Sequence, residues 1–337
     1  MNNHSLIYGE GTMETILVTG AFGNVGQSTL AALAERPVAV RAFDVDNAVN
    51  RRRARARPAG TEVLWGDLRD SAAVVRAVRG VSAVIHLAAI IPPLANRFPE
   101  LARAVNVDGT ANLLAAMADE PSPPRLVFSS SVATYGDRVE DWFIKVDDPL
   151  CPCADDEYAR HKVACEGLIR QSGLNWVICR LSYIVWRKKL ALDPLMFRMP
   201  LATRLEVCHT LDTGLALANA AFCDEAIAGT FNLAGGESCR TDYRTYLDRM
   251  LRSFGLGGAR FLPDAAFSRT GYHCGWMDTN EAQRLLRFQH HNLDFYYDEV
   301  RREAGPLKGL ISLFRPLVQA AIRGRSSYLR LAGQTLG

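Results

Sequence analysis

Thr19-Gly20-Ala21-Phe22-Gly23-Asn24-Val25-Gly26 is the stretch that decides the fold. It follows a short β-rich run, Thr15-Ile16-Leu17-Val18-Thr19, and opens a helix-like segment from Gln27 to Ala34. Glycines at 20, 23 and 26 permit a tight turn, close backbone approach to a pyrophosphate and close packing of helix on strand. The helix N-terminus adds N–H groups and the positive end of its dipole. Set between a strand and a helix, the pattern reads as a dinucleotide cradle rather than a structural turn.

Reading outward, the run Val38 to Phe43 makes a second strand, and Asp44 lies at its end. A carboxylate there can hydrogen-bond the adenosine ribose hydroxyls and would repel a 2′-phosphate, which favours NAD over NADP. Asp46 is the rival for this role but sits further past the strand. Arg41 and the run Arg51-Arg52-Arg53 argue the other way, since arginines nearby would welcome a phosphate. The simpler reading of that run is a solvated face. Gly66-Asp67-Leu68 follows a third strand, Glu62 to Trp65. Asp67 there suits either a helix cap or a contact to the adenine amino group.

The alternation continues. Asn47 to Gly60 is Arg-rich and polar, a solvated loop or helix face. Ala72 to Val78 is a helix, Ala83 to Leu87 a strand, Ala104 to Met117 a helix and Arg125 to Ser129 a strand. Tyr158 to Gln171 is a helix and Trp176 to Arg180 a strand, and Gly229 to Leu233 supplies one more strand. This order predicts an α/β fold, a doubly wound parallel sheet with helices on both faces. After Arg180 the pattern loosens. Residues 181–204 and 236–304 suit a smaller C-terminal substrate lobe, with 205–235 returning to the 13–180 domain.

Tyr158-Ala-Arg-His-Lys162 places two side chains four apart, on one helix face. A lysine ammonium beside a phenol favours phenolate, which would bring the tyrosine pKa down toward working pH. Tyr158 then suits proton exchange at a carbonyl or alcohol. Alone, the pair reads as a surface tyrosine and lysine. Phe128-Ser129-Ser130-Ser131-Val-Ala-Thr-Tyr135-Gly136 changes that reading, because it ends a strand in hydroxyls at the ligand-facing edge of the sheet.

These motifs together resemble the extended short-chain dehydrogenase/reductase superfamily, the NAD-dependent epimerase/dehydratase group, with its Rossmann-type fold. The likeness spans roughly residues 13–240. It comprises TGAFGNVG, GDL at 66–68, HLAA at 86–89, VNVDGTANLL at 105–114, the serine run with YG, YARHK, and NLAGG at 232–236. The resemblance implies Ser131 as catalytic serine, Tyr158 as acid/base and Lys162 as its partner and a nicotinamide-ribose ligand. It implies that Leu87, Ala88 and Ala89 line the cofactor and that Asn106 is structural or close to it. His86 falls at a structural position. The expected cofactor-binding set is Gly20, Phe22, Gly23, Asn24, Val25, Gly26, Asp44, Asp67, Leu68, Leu87, Ala88, Ala89, Asn106, Ser129, Tyr158, Lys162 and Leu181. A homodimer through the Tyr-Lys helix and its predecessor is implied by analogy. The chain departs from the family at Arg180-Leu181-Ser182-Tyr183, where Arg-Pro is usual, and at His209-Thr210-Leu211-Asp212, where His-Val-Asp-Asp is usual.

Three reactions share this scaffold. Sugar 4,6-dehydratases carry Asp-Glu directly after the catalytic Ser/Thr; here Val132 and Ala133 cannot exchange protons. Nucleotide-sugar epimerases need room for a second nucleotide, and only 51 positions separate Tyr158 from His209. The intervening Leu190 to Leu205 stretch is apolar, a pocket wall or core packing. The preferred expectation is an NAD-dependent oxidoreductase interconverting a secondary alcohol and a ketone on a small or apolar substrate. Epimerisation is the runner-up, and a non-catalytic dinucleotide-binding sensor or scaffold comes third.

The bulk numbers agree with a globular enzyme. The chain has 337 residues, 48% hydrophobic and 22% charged, and a net charge of +3, so no nucleic-acid role follows. Its eight cysteines show no CxxC or Cys/His ligand spacing, which speaks for no metal and for reduced thiols in a cytoplasmic setting. Residues 1–12 read as a flexible extension without a signal-peptide pattern. No apolar run reaches the ~18 residues of a membrane span. In the tail, 305–337, Leu307, Leu310, Ile311, Phe314, Leu317, Val318 and Ala321 recur at helical spacing, with Pro316 expected to interrupt the helix. Packing on the enzyme's own surface or at a dimer interface is the simpler expectation for this tail, and peripheral membrane contact the alternative.

Overall fold

The computed structural model describes residues 13–186, 194–269 and 271–334. The expected N-terminal extension and part of the apolar 190–205 stretch lie outside these residues. The chain begins with β1 (Thr15–Thr19), α1 (Asn24–Ala34), β2 (Ala39–Asp44), α2 (Ala48–Ala54), β3 (Glu62–Trp65), α3 (Ser71–Val78) and β4 (Ala83–His86). Two short helices, α4 (Leu94–Arg97) and α5 (Pro99–Arg103), lead through a wide turn at Ala104–Asp108 into α6 (Gly109–Ala118) and β5 (Arg125–Ser131). β6 (Phe143–Ile144), α7 (Glu157–Gln171), β7 (Trp176–Leu181), β8 (Tyr183–Val185), β9 (Arg204–His209), α8 (Thr210–Ala220) and β10 (Gly229–Leu233) follow. The C-terminal part holds β11 (Arg240–Asp242), α9 (Tyr243–Ser253), β12 (Trp276–Met277), α10 (Asn280–Leu286), α11 (Leu293–Leu313), α12 (Arg315–Arg323) and α13 (Ser327–Gln334).

Among the described residues the main sheet has seven parallel strands in the order β10-β7-β5-β4-β1-β2-β3. Successive side chains of a strand point to opposite faces. Ile16 and Val18 therefore join a core with Leu30, Leu33 and Leu217, under α1 and α8. Leu17 joins a second core with Val74, Leu113, Met117 and Ile169, under α3, α6 and α7. The strand order reverses between β1 and β4, and ligands in such sheets bind outside the carboxyl ends of the strands at that point. A third core, built on Leu205, Tyr243, Leu247, Phe267, Tyr297 and Val300, gathers around a small sheet of order β11-β9-β8.

Several boundaries differ from the sequence reading for local reasons. α1 begins at Asn24, three residues early, because Gly23 already adopts the extended N-cap conformation. α2 forms within the Arg-rich stretch because Asn47 caps it, its side chain accepting from Asn50 N at 2.9 Å. Asp70, not Asp67, caps α3. β9 pairs with β8 and β11 rather than with the main sheet, so the chain rejoins that sheet only through α8 and β10. In the tail, α11 ends at Leu313 and Pro316 lies in the first turn of α12, where a missing N–H is tolerated. Among the described residues no helix is long and apolar enough to cross a membrane.

Candidate active site

The first loop meets two steric demands that only glycine satisfies. Gly20 has φ +65°, and a Cβ there would meet Ala88 N at 2.7 Å. A Cβ on Gly26 would sit 2.3 Å from the Gly20 carbonyl oxygen. Gly23, in contrast, lines open space in two neighbouring cavities of about 380 and 290 Å³. The first runs past Asp44, Asp67, Leu68, Leu87, Ala88 and Ala89. The second runs past Asn24, Val25, Gly26, Ser129, Lys162 and Leu181 to Ser131 and Tyr158. Their shared walls make one elongated cleft at the switch point of the sheet. Phe22 and Asn106 are not brought to its surface. The Phe22 ring is fully buried 5.3 Å from Trp65, and only its backbone N–H reaches Asp44. Asn106 is buried with its amide committed to the Ile90 backbone, accepting at 2.7 Å and donating at 2.9 Å, so it fixes the cleft wall from behind.

Asp44 is held by three hydrogen bonds at the end of β2. Oδ2 accepts from Phe22 N at 2.9 Å, and Oδ1 accepts from Val45 N at 2.8 Å and Asn50 Nδ2 at 2.9 Å. Burial raises its pKa, while the two backbone donors and Arg53 oppose the shift. Arg53 donates to the Phe22 carbonyl at 2.9 Å. Arg41 and Arg51 are committed elsewhere: Arg41 to Glu62 and the Ala77 and Arg79 carbonyls, Arg51 to the exposed Asp46. Asp67 lines the cleft paired with Arg69, which holds its carboxyl below the usual range. This charge pattern fits a diribonucleotide with free ribose hydroxyls: one acceptor at the strand end, and open glycine backbone where a pyrophosphate would pass.

Helix α7 is started by Asp156, whose Oδ1 accepts from Ala159 N at 3.0 Å. The helix turns Tyr158 and Lys162 toward the end of β5. Lys162 is buried, its Nζ donating to the Ser129 carbonyl at 2.5 Å and lying 5.6 Å from the centre of the Tyr158 ring. Ser131 stands at the end of β5 and lines the same cavity as Tyr158. The expectation that Lys162 lowers the tyrosine pKa is not what governs this cleft. Burial pushes the Tyr158 phenol up, with the Ser131 hydroxyl pulling the other way. Burial also pushes Lys162 down to about 8. Low polarity disfavours the charged form of each.

The family-atypical Arg180-Leu181-Ser182-Tyr183 segment folds regularly. β7 extends to Leu181, and Ser182 N donates to the Leu233 carbonyl at 2.9 Å. Arg180 is buried in a bidentate pair with Glu166, at 2.9 and 2.8 Å. Glu166 also accepts from Ser130 at 2.6 Å, and Arg180 donates to the Tyr135 hydroxyl at 2.7 Å. This network locks α7, β5 and β7 directly beneath Ser131. His86 is a second brace, with Thr19 at 2.7 Å and Thr110 at 3.0 Å, and burial lowers its pKa to about 3. His209 caps α8 and pairs with Glu299 of α11 at 2.9 Å, joining the two parts of the fold.

Beyond Tyr158 the cleft opens into a cavity of about 370 Å³. Its walls bring together Tyr183, Trp186, Tyr246, Tyr272 and Tyr296 with Ile91, Ile184, Val185 and Leu195. Among the described residues no lysine or arginine lines it. Two polar features there had no signal in the sequence. The Ser182 hydroxyl is buried without a hydrogen-bond partner and borders both this cavity and the Lys162 cavity. His273 stacks on Tyr272 and turns Nδ1 toward Asp156 at 3.5 Å. They meet only because the C-terminal lobe folds back over α7.

Comparison with known proteins agrees with this fold. A sequence model described as the NAD dependent epimerase/dehydratase family matches residues 16–185, just over half of the chain. The chain is 28% identical over 290 residues to a Mycobacterium tuberculosis 3 beta-hydroxysteroid dehydrogenase/Delta 5→4-isomerase. That alignment covers 81% of this chain and 66% of the relative, so the chain spans about two thirds of the relative's length. Its fold is similar to that of an NAD-bound short-chain dehydrogenase/reductase superfamily protein from Agrobacterium tumefaciens. There the TM-score is 0.68 at 24% identity, covering 90% of this chain and 100% of the other. It is also similar in fold to a Bacillus cereus UDP-glucuronic acid 4-epimerase, with TM-score 0.72 at 17% identity, covering 88% and 99% of the two chains.

Proposed function

Because the chain belongs to the NAD dependent epimerase/dehydratase family, we propose that it is an NAD-dependent oxidoreductase interconverting a secondary alcohol and a ketone on a small or apolar substrate. The observation that carries this reading is the cavity beyond Tyr158, walled by aromatic and aliphatic side chains and, among the described residues, by no lysine or arginine. A diphosphate set against these described walls would lose its hydration without gaining a lysine or arginine from them, which is costly. An apolar skeleton would be stabilised by leaving water.

In this reading Gly20, Gly23 and the start of α1 hold the pyrophosphate, and Asp44 accepts from the adenosine ribose. Leu87, Ala88, Ala89 and Leu181 wall the remainder of the cofactor. The bound nicotinamide supplies a hydride acceptor and donor. Tyr158 exchanges the proton at the substrate oxygen, and Ser131 donates a hydrogen bond to that oxygen as its charge changes. Lys162 braces the end of β5 through Ser129 and reaches toward the cofactor ribose. Asp44 supports NAD over NADP; Arg53, the one arginine of the run bonded beside it, is what a 2′-phosphate would have to recruit.

Epimerisation of a nucleotide sugar is the second reading, favoured by the likeness in fold to sugar-nucleotide epimerases. Val132 and Ala133, both buried at the cavity wall, support neither elimination nor a further proton transfer. The two readings separate in a panel of steroid, aromatic and uronic-acid alcohols and ketones, followed by nicotinamide absorbance with NAD(H) and NADP(H) in parallel. Turnover of an apolar member with NAD, lost in Tyr158→Phe, supports the oxidoreductase. Inertness of the whole panel beside conversion of a UDP-sugar without net absorbance change would replace it.

A further inference from the structure

The tail helices carry two apolar faces, and only one is used. Val300, Ala304 and Ile322 are buried in the lobe core, with Ile311 and Val318 packed against it. Beside this face runs a second stripe at three- and four-residue intervals: Leu307, Leu310, Leu313, Phe314 and Leu317. All are exposed, Leu310 by 57%, Leu313 by 74% and Leu317 by 69%. Self-packing, the simpler expectation from sequence, therefore accounts for one face and leaves the other in water. Scattered exposed leucines are ordinary; a contiguous stripe marks a contact surface.

Charge says what kind of contact. Residues 305–337 contain five basic residues, Lys308, Arg315, Arg323, Arg325 and Arg330, and no aspartate or glutamate. The chain's net charge of +3 therefore conceals +5 on the tail and −2 on everything before it. All five basic residues are exposed. A symmetric contact with a second copy would set one cationic tail against another. An anionic lipid surface instead offers acyl chains to the leucines and headgroups to the cations.

We propose that the Leu307–Leu317 stripe, flanked by the basic residues of α12 and α13, seats the enzyme on an anionic membrane surface without crossing it. α11 carries the first three residues of this stripe and also Tyr296 of the substrate cavity, with Leu307 eleven residues or about 16 Å from Tyr296 along the helix. The seat thus holds one wall of an apolar cavity about 16 Å along the helix from the lipid contact. The proposal does not depend on turnover, so its test stands whichever reaction the cleft performs.

The test is co-sedimentation of the full chain with phosphatidylcholine vesicles and with phosphatidylcholine doped with phosphatidylglycerol. Binding should require the anionic lipid and fall as salt is raised. Leu313→Glu with Leu317→Glu, both at exposed positions, should abolish it while leaving thermal unfolding unchanged. Arg323→Ala and Arg330→Ala should each weaken it about five-fold. Absence of sedimentation with the doped vesicles, or equal sedimentation with both, would overturn the proposal. So would a size-exclusion shift from dimer to monomer in the leucine variant, which would assign the stripe to a second copy.

Discussion

Ser182 presents a buried hydroxyl to the junction of the proposed cofactor and substrate cavities, and no group in the described protein satisfies it. A buried unpaired hydroxyl costs about 1–3 kcal/mol, a penalty a bound ligand can remove. Ser182→Ala should therefore leave thermal stability unchanged or slightly higher while raising KM for cofactor or substrate several-fold, with kcat little affected. Loss of stability with unchanged KM would reduce Ser182 to a packing residue. Tyr158 yields a pH prediction of defined sign. Burial raises its pKa, so the phenol is protonated at neutral pH in the empty cleft. Proton acceptance in alcohol oxidation should then improve as pH rises above neutral, while proton donation in ketone reduction should stay flat over that range and weaken only as pH approaches the raised phenol pKa. Paired kcat/KM profiles in the two directions check this; parallel profiles would point to another acid/base. The glycines, Asp44, Ser131, Tyr158 and Lys162 were legible because turn geometry, ribose recognition and proton transfer each demand a residue type at a set spacing. Ser182, Asp156 and His273 were not, since tertiary folding alone unites positions so far apart in the chain.

At the scale of elements, the Arg180–Glu166 pair decides how firmly α7, β5 and β7 are joined. Both side chains are nearly inaccessible, and Glu166 also receives Ser130 and Arg170. Removing one member of such a pair strands a buried charge, at about 3–5 kcal/mol. Glu166→Leu should lower stability by that order in a denaturant melt, and Glu166→Leu with Arg180→Met should recover much of it. A melt of the single variant within 1 kcal/mol or so of the parent would show the network to be dispensable. The strands of the main sheet were readable from their apolar runs and the glycines that follow them. α2 was left open in the sequence because its outer face is a run of solvated arginines, and only the Asn47 cap marks its start. β9 was not read as a strand at all: its buried sequence Leu205 to Cys208 carries no turn signal that marks its ends, and pairing partners are not encoded in burial.

For the whole molecule, function rests on two cores meeting across one cleft. The sheet fixes the proposed cofactor track and the Ser131–Tyr158–Lys162 group, and the C-terminal lobe closes the far side with Tyr246, Tyr272 and Tyr296. The first half was anticipated in outline because β-α alternation and motif order specify it. The lobe's irregular segments carry no comparable pattern, so its aromatic wall became visible only in the folded chain. The central claim is net transfer of hydride between an apolar alcohol and free NAD. It is tested most directly by incubating the enzyme with a 3β-hydroxysteroid deuterated at its carbinol carbon and excess NAD, and locating the label by mass spectrometry. Deuterium in the released reduced cofactor, with ketone formed in equal amount and neither seen in Tyr158→Phe, is the predicted result. With the enzyme shown to bind NAD, label that never leaves the steroid, beside a UDP-sugar that retains its own label while inverting, would contradict it.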